Sequence, residues 1–301
     1  MSVAELRKCL AGDIGATNCR FAIVDENGTI LKVEKTKTPR ENPVSFIHNK
    51  AQDFVQNENI DGISFSIAGP VHEGKSKFVN LPGQPEIGQE DFQDISSNVI
   101  FLNDTVAAVY AEYAKTPCPN MAYITMSTGI GGAVIENDEI IYFKDTDEEI
   151  GHIEIGEKNY RLPCGCKPRK FNHWEAFCSG GALVNFYNEW KEKSGDISGF
   201  QPKDAKEIFT EAEKGNISAK KFLNEGFNRI NNEAIKAVIE KFGPEKIVFG
   251  GSVASNNQDE VLSGLKEIKN LPAVSFTEYG DDVSIIGAAK YLLKELSVKN
   301  P

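Results

Sequence analysis

The chain has 301 residues and carries 44 Asp and Glu against 33 Lys and Arg, a formal net charge of −11. So acidic a chain lacks the basic footprint of a nucleic-acid binder, yet phosphate ligands stay open to it because backbone amides and helix N-termini hold anions. At 40% hydrophobic residues it can fill one large or two medium cores, and the absence of any apolar run near the roughly 18–20 residues of a membrane span, or of a signal peptide in MSVAELRKCLAGDIG, implies a cytoplasmic protein with no membrane partner.

Residues 9–13 and 20–25 are apolar, β-rich runs joined by Asp13-Ile14-Gly15-Ala16-Thr17-Asn18, and TILKVEKTKT after the Glu26-Asn27-Gly28 turn predicts a third strand. Helical spacing follows over 44–57, then a buried strand over 62–71 running into Gly69-Pro70. Another strand over 98–104 ends in Asn103-Asp104, and a helix is expected over 105–115. A second cycle begins at 121–141, strand–glycine turn–strand–turn–strand, repeating 9–35 about 110 residues later. Residues 177–192 and 203–240 are helical in pattern, 246–254 and 273–279 are strands, and 284–296 closes the chain as a helix. Two α/β halves packed across a cleft are therefore expected, a favoured place for a ligand. The first half is placed at 1–105, joined by a C-terminal helix over 284–298, and the second at 106–283.

Several motifs carry chemistry. In Asp13-x-Gly15-x-Thr17-Asn18 a carboxylate, a hydroxyl and a tight turn could meet phosphates and a hydrated Mg²⁺, or be only a hairpin turn. Thr128-Gly129-Ile130-Gly131-Gly132 weakens a strand with three glycines, which close approach of a polyphosphate would explain. It lacks the Gly-Lys-Ser/Thr of a Walker loop and is followed by a strand, unlike a dinucleotide fingerprint. Gly250-Gly251-Ser252, between a strand and a helix, could hold a nucleotide's adenosine portion or α-phosphate. Asp104 ends an apolar strand, where a carboxylate could accept the proton of a hydroxyl attacking a γ-phosphate, or could simply cap the next helix. Of six cysteines, Cys164 and Cys166 form a tight pair. With His152 and His173 they fall within 22 residues and offer four ligands for a tetrahedral Zn²⁺.

In this order the motifs resemble the ROK family of sugar kinases, glucokinases within it, over essentially the whole chain. The resemblance implies a two-domain actin-like ATPase (ribonuclease H-like) α/β fold with an interdomain cleft, and use of ATP and Mg²⁺ with a hexose. It implies ATP contacts from Asp13, Gly15, Thr17, Asn18, Thr128, Gly129, Gly131, Gly250 and Gly251, with Asp13 near Mg²⁺ through water. Sugar contacts are implied for Gly69, Pro70, Asn80, Asn103, Asp104, Glu149, His152 and Glu175, with Asp104 as base for the 6-hydroxyl. Glucose is the favoured acceptor, and a homodimer or homotetramer is expected.

Two departures stand out. Ala16 replaces a second glycine in the first phosphate motif. In the zinc motif, Cys164-Gly-Cys166 is followed by a loop two residues longer than the family pattern, and His173 stands in place of the third cysteine. Imidazole is a good zinc ligand, so a Cys₂His₂ site is expected, the alternative being that zinc is lost and the loop is held otherwise. Three rivals are weighed. A sugar-sensing repressor would need a DNA-binding segment ahead of Asp13. A non-catalytic sugar binder conflicts with the retained Asp13, Thr17, Asn103 and Asp104. A kinase for N-acetylmannosamine, N-acetylglucosamine or another hexose shares all these motifs.

Overall fold

The computed structural model describes residues 6–78, 81–143, 149–156, 159–166 and 168–299. It divides into two compact units, residues 1–117 with 281–301, and residues 118–280.

The first unit opens with β1 (Lys8–Ile14), β2 (Asn18–Asp25) and β3 (Ile30–Lys37), an antiparallel meander, followed by α1 (Pro43–Val55) and β4 (Ile63–Ile67). Then come β5 (Val71–His72), β6 (Lys75–Lys77), β7 (Glu86–Gly88), β8 (Val99–Asn103) and α2 (Asp104–Lys115). The main sheet runs β3-β2-β1-β4-β8, with β1, β4 and β8 parallel. Alternate residues of β1 serve opposite faces, as the period of a strand demands. Leu10 and Ile14 join Phe21, Phe65 and the Ile47, Ala51 and Phe54 face of α1. Cys9 and Ala11 join the C-terminal helix through Ile285, Ala289 and Leu292. Gly12 is glycine because a Cβ there would lie 2.5 Å from the Phe65 ring.

The second unit repeats the plan. β9 (Met121–Met126), β10 (Ile130–Glu136) and β11 (Glu139–Ile141) form the meander. A helical layer follows of α3 (Trp174–Cys178), α4 (Leu183–Ser194), α5 (Ala205–Glu213), α6 (Ile217–Phe222) and α7 (Arg229–Phe242). β12 (Lys246–Gly250), α8 (Ser252–Asn256), α9 (Gln258–Leu265) and β13 (Ala273–Phe276) complete it. Its sheet runs β11-β10-β9-β12-β13, with β9, β12 and β13 parallel, the same order and directions as in the first. The closing helix α10 (Val283–Lys299) returns to the first unit and lies on α2, where Gly287 sits so close to the Ala107 carbonyl that a Cβ would collide with it.

Some boundaries differ from the sequence reading. The strands expected over 62–71 and 246–254 stop at Ile67 and Gly250. The helix expected from 177 is broken at Ser179-Gly180-Gly181, where Gly180 and Gly181 press against the carbonyls of Ser127 and Thr128. The three-stranded sheet β5-β6-β7 and helix α9 were not foreseen. The first unit extends to Pro117 because α2 packs on α10, rather than ending at residue 105.

Candidate functional site

In each unit the polar motifs gather at the carboxyl ends of the parallel strands, the edge at which open α/β sheets place ligands. In the first unit β1 delivers Asp13, β4 leads into Gly69, and β8 ends at Asn103-Asp104. The β1–β2 turn is pinned by Gly15 N–H donating to Asn18 O (3.0 Å) and by the Thr38 hydroxyl donating to Gly15 O (2.6 Å). Thr17 and Asn18 are exposed at its tip. Ala16 takes no left-handed backbone and packs its methyl on the core, which explains why this position does not need glycine.

Asp13 receives the Ser66 hydroxyl at 3.4 Å. Burial pushes its carboxyl above the ordinary range, and the charge of Arg20 opposes that shift. Arg20 is the cross-strand partner of Asp13, donates to Asp281 O (2.8 Å) and pairs with Asp282 at the start of α10. Sequence reasoning missed Arg20, although counting residues back across the 15–17 turn sets it opposite Asp13.

Gly69 has φ +125°, a conformation that selects glycine, and its carbonyl accepts from Asn103 Nδ2 at 3.0 Å. Asn103 is also the N-cap of α2, accepting from Thr105 N (2.9 Å) and Val106 N (3.3 Å). The capping role weighed for Asp104 therefore belongs to Asn103. Asp104 occupies the first helical position, with Oδ1 2.9 Å from Thr105 N. Pro70 is exposed beside Gly69, and Asn80 lies outside the described residues.

In the second unit the β9–β10 turn, Ser127-Thr128-Gly129, abuts the Gly250-Gly251 turn. Ser127 Oγ lies 3.3 Å from Ser252 Oγ, and a Cβ on Gly251 would sit 2.5 Å from Met126 O. Gly131 follows within β10, paired with Thr125. Glu149 and His152 flank a short 3₁₀ turn, with His152 Nδ1 3.9 Å from a Glu149 oxygen. Burial, and then the nearby Glu175 charge, push the Glu149 carboxyl up, while His152 pulls it down.

The metal candidates converge. One ligand atom from each of His152, Cys164, Cys166 and His173 lies within 4.8 Å of all the others. The longer loop is accommodated as a miniature hairpin. Cys164 N donates to Lys170 O (2.9 Å) and Asn172 N to Leu162 O (2.8 Å). Asn172 ties both sides with its amide, accepting from Leu162 N and donating to Tyr160 O. Cys166 Sγ lies 3.7 Å from His173 Nδ1, and the two imidazole rings are 4.9 Å apart. Burial pushes both thiols up, so holding them as thiolates calls for a cation. Two sulfurs and two imidazoles in this spacing fit tetrahedral Zn²⁺. An open groove of about 530 Å³ runs past His152 and His173.

The chain matches the ROK family over residues 9–295. The chain belongs to the ROK family. A glucokinase of Pyrobaculum calidifontis is 33% identical to this ROK chain over 300 residues, spanning 96% of both proteins. An N-acetylmannosamine kinase of Haemophilus influenzae is 29% identical, spanning 98% of both. Among solved structures, a ROK family protein from Streptococcus pneumoniae in complex with sucrose superposes with a TM-score of 0.80, at 24% identity, over 97% of this chain and 99% of that one. The ROK chain thus has the actin-like ATPase fold of the ROK sugar kinases.

Proposed function

We propose that this protein is an ATP-dependent hexose kinase that transfers the γ-phosphoryl group to the 6-hydroxyl of glucose. The arrangement at the end of β8 carries the reading. Asn103 caps α2, and Asp104 follows it at the first helical position, at the carboxyl end of β8, where its carboxylate serves as the base. Asp104 accepts the 6-hydroxyl proton as the oxygen attacks. Phosphoryl transfer rests mainly on positioning and charge neutralisation, so one base suffices. Asn103 spends one amide N–H on Gly69 O and keeps the other for a sugar oxygen. Gly69, Pro70, Asn80, Glu149, His152 and Glu175 complete the sugar contacts.

Asp13, Gly15, Thr17 and Asn18 meet phosphates from the first hairpin. Thr128, Gly129 and Gly131 meet them from the second, and Gly250 and Gly251 approach the adenosine. Mg²⁺, when bound with ATP, neutralises phosphate charge, and Asp13 is the carboxylate able to hold its hydration shell. His152, Cys164, Cys166 and His173 would hold Zn²⁺, which would cross-link the segment that carries Glu149, His152 and Glu175.

The glucokinase relative at 33% identity supports glucose as acceptor. The N-acetylmannosamine kinases at 29% support a second reading, in which the acceptor is an acetamido hexose and the residue roles are unchanged. Coupled ADP-release kinetics on a panel of hexoses separates them. A kcat/KM for glucose well above that for N-acetylmannosamine is expected, and the reverse order would replace the first reading with the second.

A further inference from the structure

The Ser127–Ile130 hairpin is gripped from two sides, and both grips lead to the four candidate metal donors. On one side, Gly151 lies so close to Ile130 O that a Cβ would overlap it, and His152 is the next residue. On the other side, α3 and the residues after it make three hydrogen bonds to the hairpin. Ile130 N donates to Glu175 Oε2 at 3.0 Å, Gly180 N to Ser127 O at 2.7 Å and Gly181 N to Thr128 O at 3.0 Å. A Cβ on Gly129 would stand 2.5 Å from Glu175 Oε2, so this glycine makes room for a carboxylate of its own chain. The other oxygen, Glu175 Oε1, accepts from the Cys164 thiol at 3.6 Å, a bond that a metal-bound thiolate would not make; the tie that persists on metal loading runs through the backbone, because His173, two residues before Glu175, is the N-cap of α3.

We propose that Glu175 is a positioning residue for the nucleotide phosphates, tying the metal cluster to the Ser127–Ile130 hairpin so that metal loading raises affinity for a magnesium–nucleoside polyphosphate even without sugar. This rests on the reading above, that the four donors hold zinc and the hairpin meets phosphates. It adds a link which a purely sugar-binding Glu175 would not create. The hydrogen bond to Ile130 N involves a charged acceptor, the stronger class of such bonds. Gln at position 175 can still accept from Ile130 N and can donate toward a Cys164 thiolate, whereas Ala can do neither.

The test is calorimetric titration of full-length, zinc-loaded protein with Mg²⁺ and a non-hydrolysable ATP analogue, sugar omitted. Zinc content and thermal midpoint are recorded for each sample. Glu175→Ala is expected to weaken binding about tenfold with zinc retained, and Glu175→Gln to stay within about threefold of wild type. Stripping zinc from wild type should cost a similar factor, and stripping it from Glu175→Ala should cost little more, since the link is already cut. Glu175→Ala binding within about twofold of wild type, zinc retained, overturns the coupling alone. So do losses from substitution and stripping that simply multiply. A wild-type protein that takes up no zinc or no nucleotide removes the underlying reading, and the coupling with it.

Discussion

Asn103 and Asp104 are adjacent, yet their substitution should act on different quantities. In Asp104→Asn the side-chain oxygen that faces Thr105 N is preserved, and the Asn103 cap is untouched. The substitution removes a negative charge from the first turn of α2, a stability cost of about 0.3–1 kcal/mol. Loss of the base should lower kcat by about 10²–10⁴, which is about 3–5 kcal/mol of barrier. Asn103→Ala removes the cap, worth about 0.5–2 kcal/mol, and the bond to Gly69 O, worth about 1 kcal/mol. Urea unfolding should therefore shift by about 1.5–3 kcal/mol in Asn103→Ala and by no more than about 1 kcal/mol in Asp104→Asn. Both tryptophans, Trp174 and Trp190, lie in residues 118–280, so unfolding of the first unit should be followed by far-UV circular dichroism instead of fluorescence. If Asp104→Asn keeps more than about a tenth of kcat, Asp104 is not the base. An unfolding shift as large as that of Asn103→Ala would make it a cap after all.

Purified protein should carry about one zinc per chain by elemental analysis, and less than about 0.2 would sink the Cys₂His₂ site. Because burial and Glu175 raise the Glu149 carboxyl, and the ionised form is the one that accepts sugar hydroxyls, sugar KM should climb as pH falls, starting above the usual carboxylate range. Glu149→Gln should abolish that limb, and an unchanged limb would assign it elsewhere. Gly287→Ala forces a methyl into the Ala107 carbonyl and should destabilise the first unit by about 1–3 kcal/mol or more in urea, with zinc content unaffected. A neutral result would mean that α2 and α10 can part without cost.

Much of the fold could be read from the sequence because its signals are local. The two glycine hairpins, the buried β4 and β8 runs and the 3–4 spacing of α10 each announce themselves within about ten residues. What escaped was short or distant. Strands of two or three residues, as in β5-β6-β7, have no period to detect. Arg20 opposite Asp13 follows from hairpin register, but its partners Asp281 and Asp282 are some 260 residues away and meet it only because α10 returns to the first unit. The four candidate metal donors are visible by residue type, whereas the hairpin that presents the cysteines depends on side-chain bonds of Asn172 that no pattern marks. Gly129 shows the limit most plainly. Its glycine could be read as space for a phosphate, and the structure fills part of that space with Glu175.

The central claim is phosphoryl transfer from ATP to the 6-hydroxyl of glucose, and ³¹P NMR of a reaction of purified protein with MgATP and glucose tests it most directly. The account predicts that a hexose 6-phosphate resonance grows in step with loss of the γ-phosphate signal, with little ATP consumed when sugar is left out. Only inorganic phosphate appearing, or no glucose-dependent loss of ATP at all, would contradict it.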